Sequence, residues 1–85
     1  MPYILPEKRN NLNPLVADLG GRIEDVGQLN YVITRLIMAQ LDKQIISYVV
    51  LNGLVGVLDS VKTEFNRRVV APYEDQAKER NGDIF

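Results

Sequence analysis

Two groups of residues hold the side chains with which this sequence could do chemistry. The first is the run Arg67-Arg68-Val69-Val70-Ala71-Pro72-Tyr73-Glu74-Asp75, where two guanidiniums, a phenol and two carboxylates surround a proline. An arginine offers a fixed fork of donors to phosphate or carboxylate, and a tyrosine ring offers a face for stacking. The second group is Asn30, Tyr31 and Arg35, with the tyrosine and arginine four residues apart, one helical turn. Together these types suit the capture of a small anionic or nucleotide-like ligand. They suit catalysis poorly. Histidine and cysteine are both absent, and with them the commonest general base and the strongest nucleophile. Serine occurs only at Ser47 and Ser60, where a cap and a helix surface explain it, and no glycine precedes the Lys-Ser or Lys-Thr of a phosphate loop. Glu74 and Asp75 are adjacent, so on a helix they diverge by about 100° and cannot work as a facing pair. The sequence predicts a protein with no enzymatic activity and no cofactor.

Each group also has a plainer account. Glu64 precedes Arg67 and Arg68 by three and four residues, the spacing of an ordinary surface ion pair. Arg35 could lay its stem along the edge of a core and keep its head in water. Glu74, Asp75, Glu79 and Asp83 lack the alternating spacing of a calcium loop and read as a solvated acidic face. Arg68 differs, because it prolongs an apolar seam and an unpaired charge there would be costly. Glu74, Asp75 or a bound anion would have to meet it, and the salt-bridge and ligand readings both stand.

The elements that position these groups read as helices. Residues 1–12 are expected to be irregular, with Pro2 and Pro6 blocking regular pairing. Asn13-Pro14 then forms a helix start, Asn as the cap and Pro in the first turn. Leu15, Leu19 and Ile23 recur every four residues, although Gly20-Gly21 interrupts and softens this first helix. Asp25 with Gln28 resembles a capping box ahead of a middle helix from about Gln28 to Lys43. Its stripe is Leu29, Val32, Ile33, Leu36, Ile37 and Leu41.

The segment from Gln44 is open to two readings. Its β-branched residues and the Asn52-Gly53 pair favour a hairpin. Leu51, Leu54, Leu58, Val61, Phe65 and Arg68, alternately three and four apart, favour a long helix capped by Ser47, and that sustained period outweighs one dipeptide. Pro72 should kink or end this helix, Tyr73 to Arg80 can resume it, and Asn81-Gly82 can close it. The tail 82–85 is irregular and ends in Ile84-Phe85, an apolar pair that should dock. Gly53 and Gly56, three apart, would let another helix or a ligand come close.

The 85 residues make one small domain, with 46% hydrophobic and 25% charged residues. So short a chain has little core, and without cysteine no disulfide can reinforce it. Association is the remaining route, and from Val49 to Leu58 the long helix is apolar nearly all round. The fold class is therefore all-α: a short helix, a middle helix and a long C-terminal helix kinked at Pro72, assembled as a helical-bundle homo-oligomer. Ten basic and eleven acidic residues give a net charge of −1, without the basic excess that drives binding to duplex nucleic acid. The apolar window Ile45 to Leu58 is shorter than the roughly 20 residues that a membrane span requires. No signal peptide is evident at the N-terminus, so a cytoplasmic location is expected.

Leu29-Asn30-Tyr31-Val32-Ile33-Thr34-Arg35-Leu36, Arg67 to Asp75 and Asn81-Gly82-Asp83, with the opening Met1-Pro2-Tyr3-Ile4, resemble an uncharacterised family of small proteins from bacteria and their phages, a domain of unknown function. The similarity runs over nearly the whole chain. Where the family pattern has an aromatic residue after Phe65 this chain has Asn66, and where it has a glycine this chain has Ile45. The resemblance implies a phage or prophage origin, an all-helical fold and residence in a bacterial host cell. Two functions are then open: ligand capture at a pocket between subunits, plausibly of a defence signal, with Asn30, Tyr31, Arg35, Arg67, Arg68, Tyr73, Glu74 and Asp75 around it, or binding of a host protein through the apolar helix and the tails.

Overall fold

A computed structural model describes residues 2–85, and all regular structure among them is helical. The elements in chain order are α1 (Pro6–Arg9), α2 (Asn13–Arg22), α3 (Val26–Leu41), α4 (Tyr48–Phe65), a π-helical turn (Asn66–Val70) and α5 (Ala71–Asn81). The chain divides into two compact units, Pro2–Leu54 and Val55–Phe85.

The first unit begins with more order than its prolines suggest. Leu5 is extended and Pro6, with φ already fixed, starts the single turn of α1. Arg9 Nε donates to the Ile4 carbonyl at 2.8 Å and closes that turn from outside. Asn13 is the first residue of α2, not its cap. Leu12 holds the preceding place with helical dihedrals and no side-chain cap bond, because the chain arrives from a turn already coiled. Gly20 and Gly21 do not break α2, which continues to Arg22 and carries an ion pair from Arg22 to Asp18 at 3.2 Å. The helix stops where Ile23 turns extended.

Caps define the next two helices. The Gln28 N–H donates to Asp25 Oδ1 at 2.8 Å, and Gln28 Oε1 accepts from the Glu24 N–H at 2.7 Å. The reciprocal arms of a capping box are both present, with the return arm one residue before the cap. Helix α3 therefore starts two residues earlier than the periodicity alone suggests, and it ends at Leu41. Between the two readings of the next segment, the helix prevails. The Val50 N–H donates to Ser47 Oγ at 3.2 Å, and α4 passes through Asn52-Gly53 without interruption.

In the second unit the helix changes pitch where the sequence predicts a kink. The Ala71 N–H donates to the Asn66 carbonyl, five residues back, and α5 follows at once with Pro72 in its first turn. A proline ring in an unbroken α-helix would strike the carbonyl of Arg68, four residues earlier, and the wider turn relieves that clash. Gly82 ends α5 with φ of 90°, a conformation that side chains with a Cβ rarely adopt. Beyond it the Phe85 N–H donates to Asp83 Oδ1 at 2.9 Å, a local turn within the tail.

None of the described residues is buried. The chain exposes 7753 Å². A folded monomer of this mass, 9.6 kDa, exposes about 5,100 Å² by the scaling of surface with mass. Ile23, Val32, Ile37, Leu41, Val50 and Leu54 are half-buried, while most other large apolar side chains stand in the open.

Candidate functional site

The residues with chemical potential fall in both units. Asn30, Tyr31 and Arg35 lie on α3 in the first unit, while Arg67, Arg68, Tyr73, Glu74 and Asp75 lie in the second. On α3 the Asn30 side chain is engaged locally, its Oδ1 accepting from Thr34 Oγ1 at 3.3 Å while its carbonyl accepts from the same hydroxyl at 2.8 Å. Tyr31 is exposed one turn before Arg35, so a ring and a cation occupy neighbouring places on one helix face.

In the second unit the π turn carries both arginines and the first turn of α5 carries Tyr73 and Glu74. Arg67 is held by Glu64, whose Oε1 accepts from Nε at 3.2 Å and from Nη2 at 3.1 Å. The Glu64 side chain is only 19% exposed, so the pair is partly sheltered on its acidic side. Arg68 has no ion pair among the described residues, and neither Glu74 nor Asp75 reaches it. Among the described residues the internal network that would have neutralised a seam arginine does not form, because Arg68 and the two acids are exposed residues of consecutive turns. Tyr73 is 63% exposed. This stretch thus offers one tethered cation, one untethered cation and an aromatic face.

Two open grooves lie elsewhere. One, of about 320 Å³, runs along α5 beside the tail and includes Glu74, Lys78, Gly82 and Phe85. The other, of about 550 Å³, lies at the N-terminus between Tyr3, Arg9 and Val16. Sequence reasoning located neither groove. Gly82 was the available signal for the first, since a glycine at a helix end redirects the chain that follows it. Ile84 and Phe85 do not dock on their own unit, being 89% and 111% exposed. Among the described residues no group of three or more carboxylates converges as a metal site, and no helix is long and apolar enough to cross a membrane. A Cβ added at Gly53 or Gly56 would meet open space.

A family model described as Domain of unknown function (DUF6899) matches residues 1–84. No curated protein and no solved structure matches the chain.

Proposed function

The chain belongs to that family of unknown function, and we propose that it is a non-enzymatic binding protein whose working form is an assembly of its own copies. The assembly captures a small anionic or nucleotide-like ligand at a pocket between subunits. The observation that carries this reading is the absence of any buried residue among well-formed helices. Helices of this length owe most of their stability to packing of an apolar face, and further copies of the chain would supply it. The ligand class rests on Arg68 and Tyr73: the guanidinium has no counter-ion among the described residues, and the exposed ring lies about one turn beyond it. Tyr31 and Arg35 repeat that combination on α3. Arg67 is the weaker anion ligand, because Glu64 already holds it. An accessory protein of phage or prophage type, binding a defence signal in the host cytoplasm, fits this chemistry.

Thermal-shift measurements with linear and cyclic nucleotides test the ligand reading. A ligand present at 100 times its Kd stabilises by about 2.7 kcal/mol, which is readily seen as a rise in melting temperature. Stabilisation that Arg68→Ala and Tyr73→Ala abolish is the expected result. No shift with any nucleotide, or a shift that both variants retain, refutes it. A second reading, an adaptor or inhibitor that docks on a host protein, draws on the exposed Ile84-Phe85 tail. Removing those two residues separates the readings, since it should leave nucleotide binding intact and abolish the host complex.

A further inference from the structure

We infer that the groove between the N-terminal segment and the start of α2 binds a small carboxylate with an apolar body, and that Arg9 holds its charged end. None of the arginines and tyrosines of the proposed nucleotide site lines this groove, and it requires neither an assembly nor the second unit. Its volume is about 550 Å³, within the usual range of small-molecule sites. Pro2, Tyr3, Ile4, Leu12 and Val16 give it walls that are mostly apolar. Asn13 and Arg9 complete the lining, and Arg9 is the one charged residue among the described residues there.

Local backbone bonds set those walls. The Ile4 N–H donates to the Pro2 carbonyl at 3.0 Å, the Leu12 N–H to the Arg9 carbonyl at 3.0 Å, and the Val16 N–H to the Leu12 carbonyl at 2.9 Å. Arg9 is tethered as well. Its Nε–H donates to the Ile4 carbonyl at 2.8 Å, which leaves the four N–H groups of the two terminal nitrogens. No carboxylate pairs with Arg9 among the described residues. A guanidinium already immobilised loses little freedom when an anion joins it, and its two terminal nitrogens match the two oxygens of a carboxylate. The charge of the ligand follows from the lining. One cation balances one negative charge, whereas a phosphomonoester or a nucleotide brings more into walls that hold no second cation. The remaining lining is mostly apolar, so a polar body would lose its hydration without compensation, and a hydrocarbon or aromatic body would not.

Titration of the isotope-labelled full chain with phenylacetate, followed by amide NMR shifts, tests the site, with the uncharged phenylacetamide as control. Phenylacetate should bind in the millimolar range, as suits so small a probe. It should move the signals of Ile4, Arg9, Leu12 and Val16 while those of α5 stay in place. Phenylacetamide should bind about tenfold more weakly, the scale of a lost charge-assisted hydrogen bond, and Arg9→Gln should weaken phenylacetate by a similar factor. Because Arg9→Gln can also loosen α1, Val16 provides a second measurement at an exposed helix position. Val16→Glu puts a like charge on the groove wall and should abolish phenylacetate binding with an unchanged circular dichroism spectrum, while Val16→Gln should retain it. No shift, shifts spread over the whole chain, equal affinity for the two probes, or binding that survives Arg9→Gln or Val16→Glu would each overturn the inference. These outcomes leave the nucleotide reading untouched, and its variants Arg68→Ala and Tyr73→Ala should bind phenylacetate as wild type does.

Discussion

The two units differ in which side chains they partly shelter. In Pro2–Leu54 the half-buried residues are Ile23, Val32, Ile37, Leu41, Val50 and Leu54, all aliphatic. In Val55–Phe85 they are Glu64, Val70 and Ala77, while Phe65 and Tyr73 stand open. Side-chain caps are present at only some helices: Asp25 and Ser47 cap α3 and α4, while α1, α2 and α5 start with no side-chain cap bond. The first unit supplies part of its own shelter. In the second, the rings of Phe65 and Tyr73 stand outside, as those of Tyr31 and Tyr48 do in the first, and water is a poor permanent neighbour for them. The contrast teaches that aliphatic side chains find part of their shelter in the first unit, while in the second even Phe65 stays in the open.

Concentration is the strongest lever on this contrast. Phe65→Ala should cost about 3–5 kcal/mol, the usual loss for a buried phenylalanine, through assembly alone. Its melting temperature should then depend on protein concentration differently from that of wild type. Ile37→Ala, in the partly sheltered unit, should cost about 1–2 kcal/mol, and this loss should be the same at low and high concentration. If the two variants respond to dilution alike, the division between the units fails.

Smaller effects sharpen it. Gly82→Ala forces a Cβ into a backbone region that suits glycine, at a cost of about 1–3 kcal/mol. Fraying of the last turn of α5, seen by hydrogen exchange, should accompany it while α3 stays protected. Asp25→Ala removes the cap of α3 and should cost about 1 kcal/mol, with urea denaturation as the readout. Glu64→Gln weakens its pair with Arg67, whose guanidinium end is open to solvent, and should change stability by only a few tenths of a kcal/mol, a useful baseline for the others.

Much of the helical layout was legible in the residues. Asp25, Ser47 and Gly82 mark helix ends through bonds or dihedrals that their own chemistry favours, so local signals were enough. The period from Leu51 to Phe65 correctly overruled the hairpin signal of Asn52-Gly53, because one dipeptide cannot outweigh several turns of registry. Other features escaped for physical reasons. The α1 turn depends on Pro6 and on the bond from Arg9 to the Ile4 carbonyl, a contact with no periodic trace. The expected partners of Arg68 failed to reach it, since a spacing that permits an ion pair does not require one when both ends can be solvated.

The sequence by itself determined that this protein is helical, where several of its helices begin and end, and that its charges balance near zero. Those properties depend on local backbone preferences and on composition, which neighbouring residues suffice to set. Only the three-dimensional structure decided which side chains share a face beyond Phe65 and how little the chain buries alone. Reading a stripe from a sequence assumes a constant 3.6 residues per turn, and the wide turn ahead of Pro72 breaks that assumption, so the seam read from Leu51 to Arg68 does not continue unchanged past it. Burial belongs to the packing of whole elements, and no periodicity reveals whether the facing element belongs to the same chain.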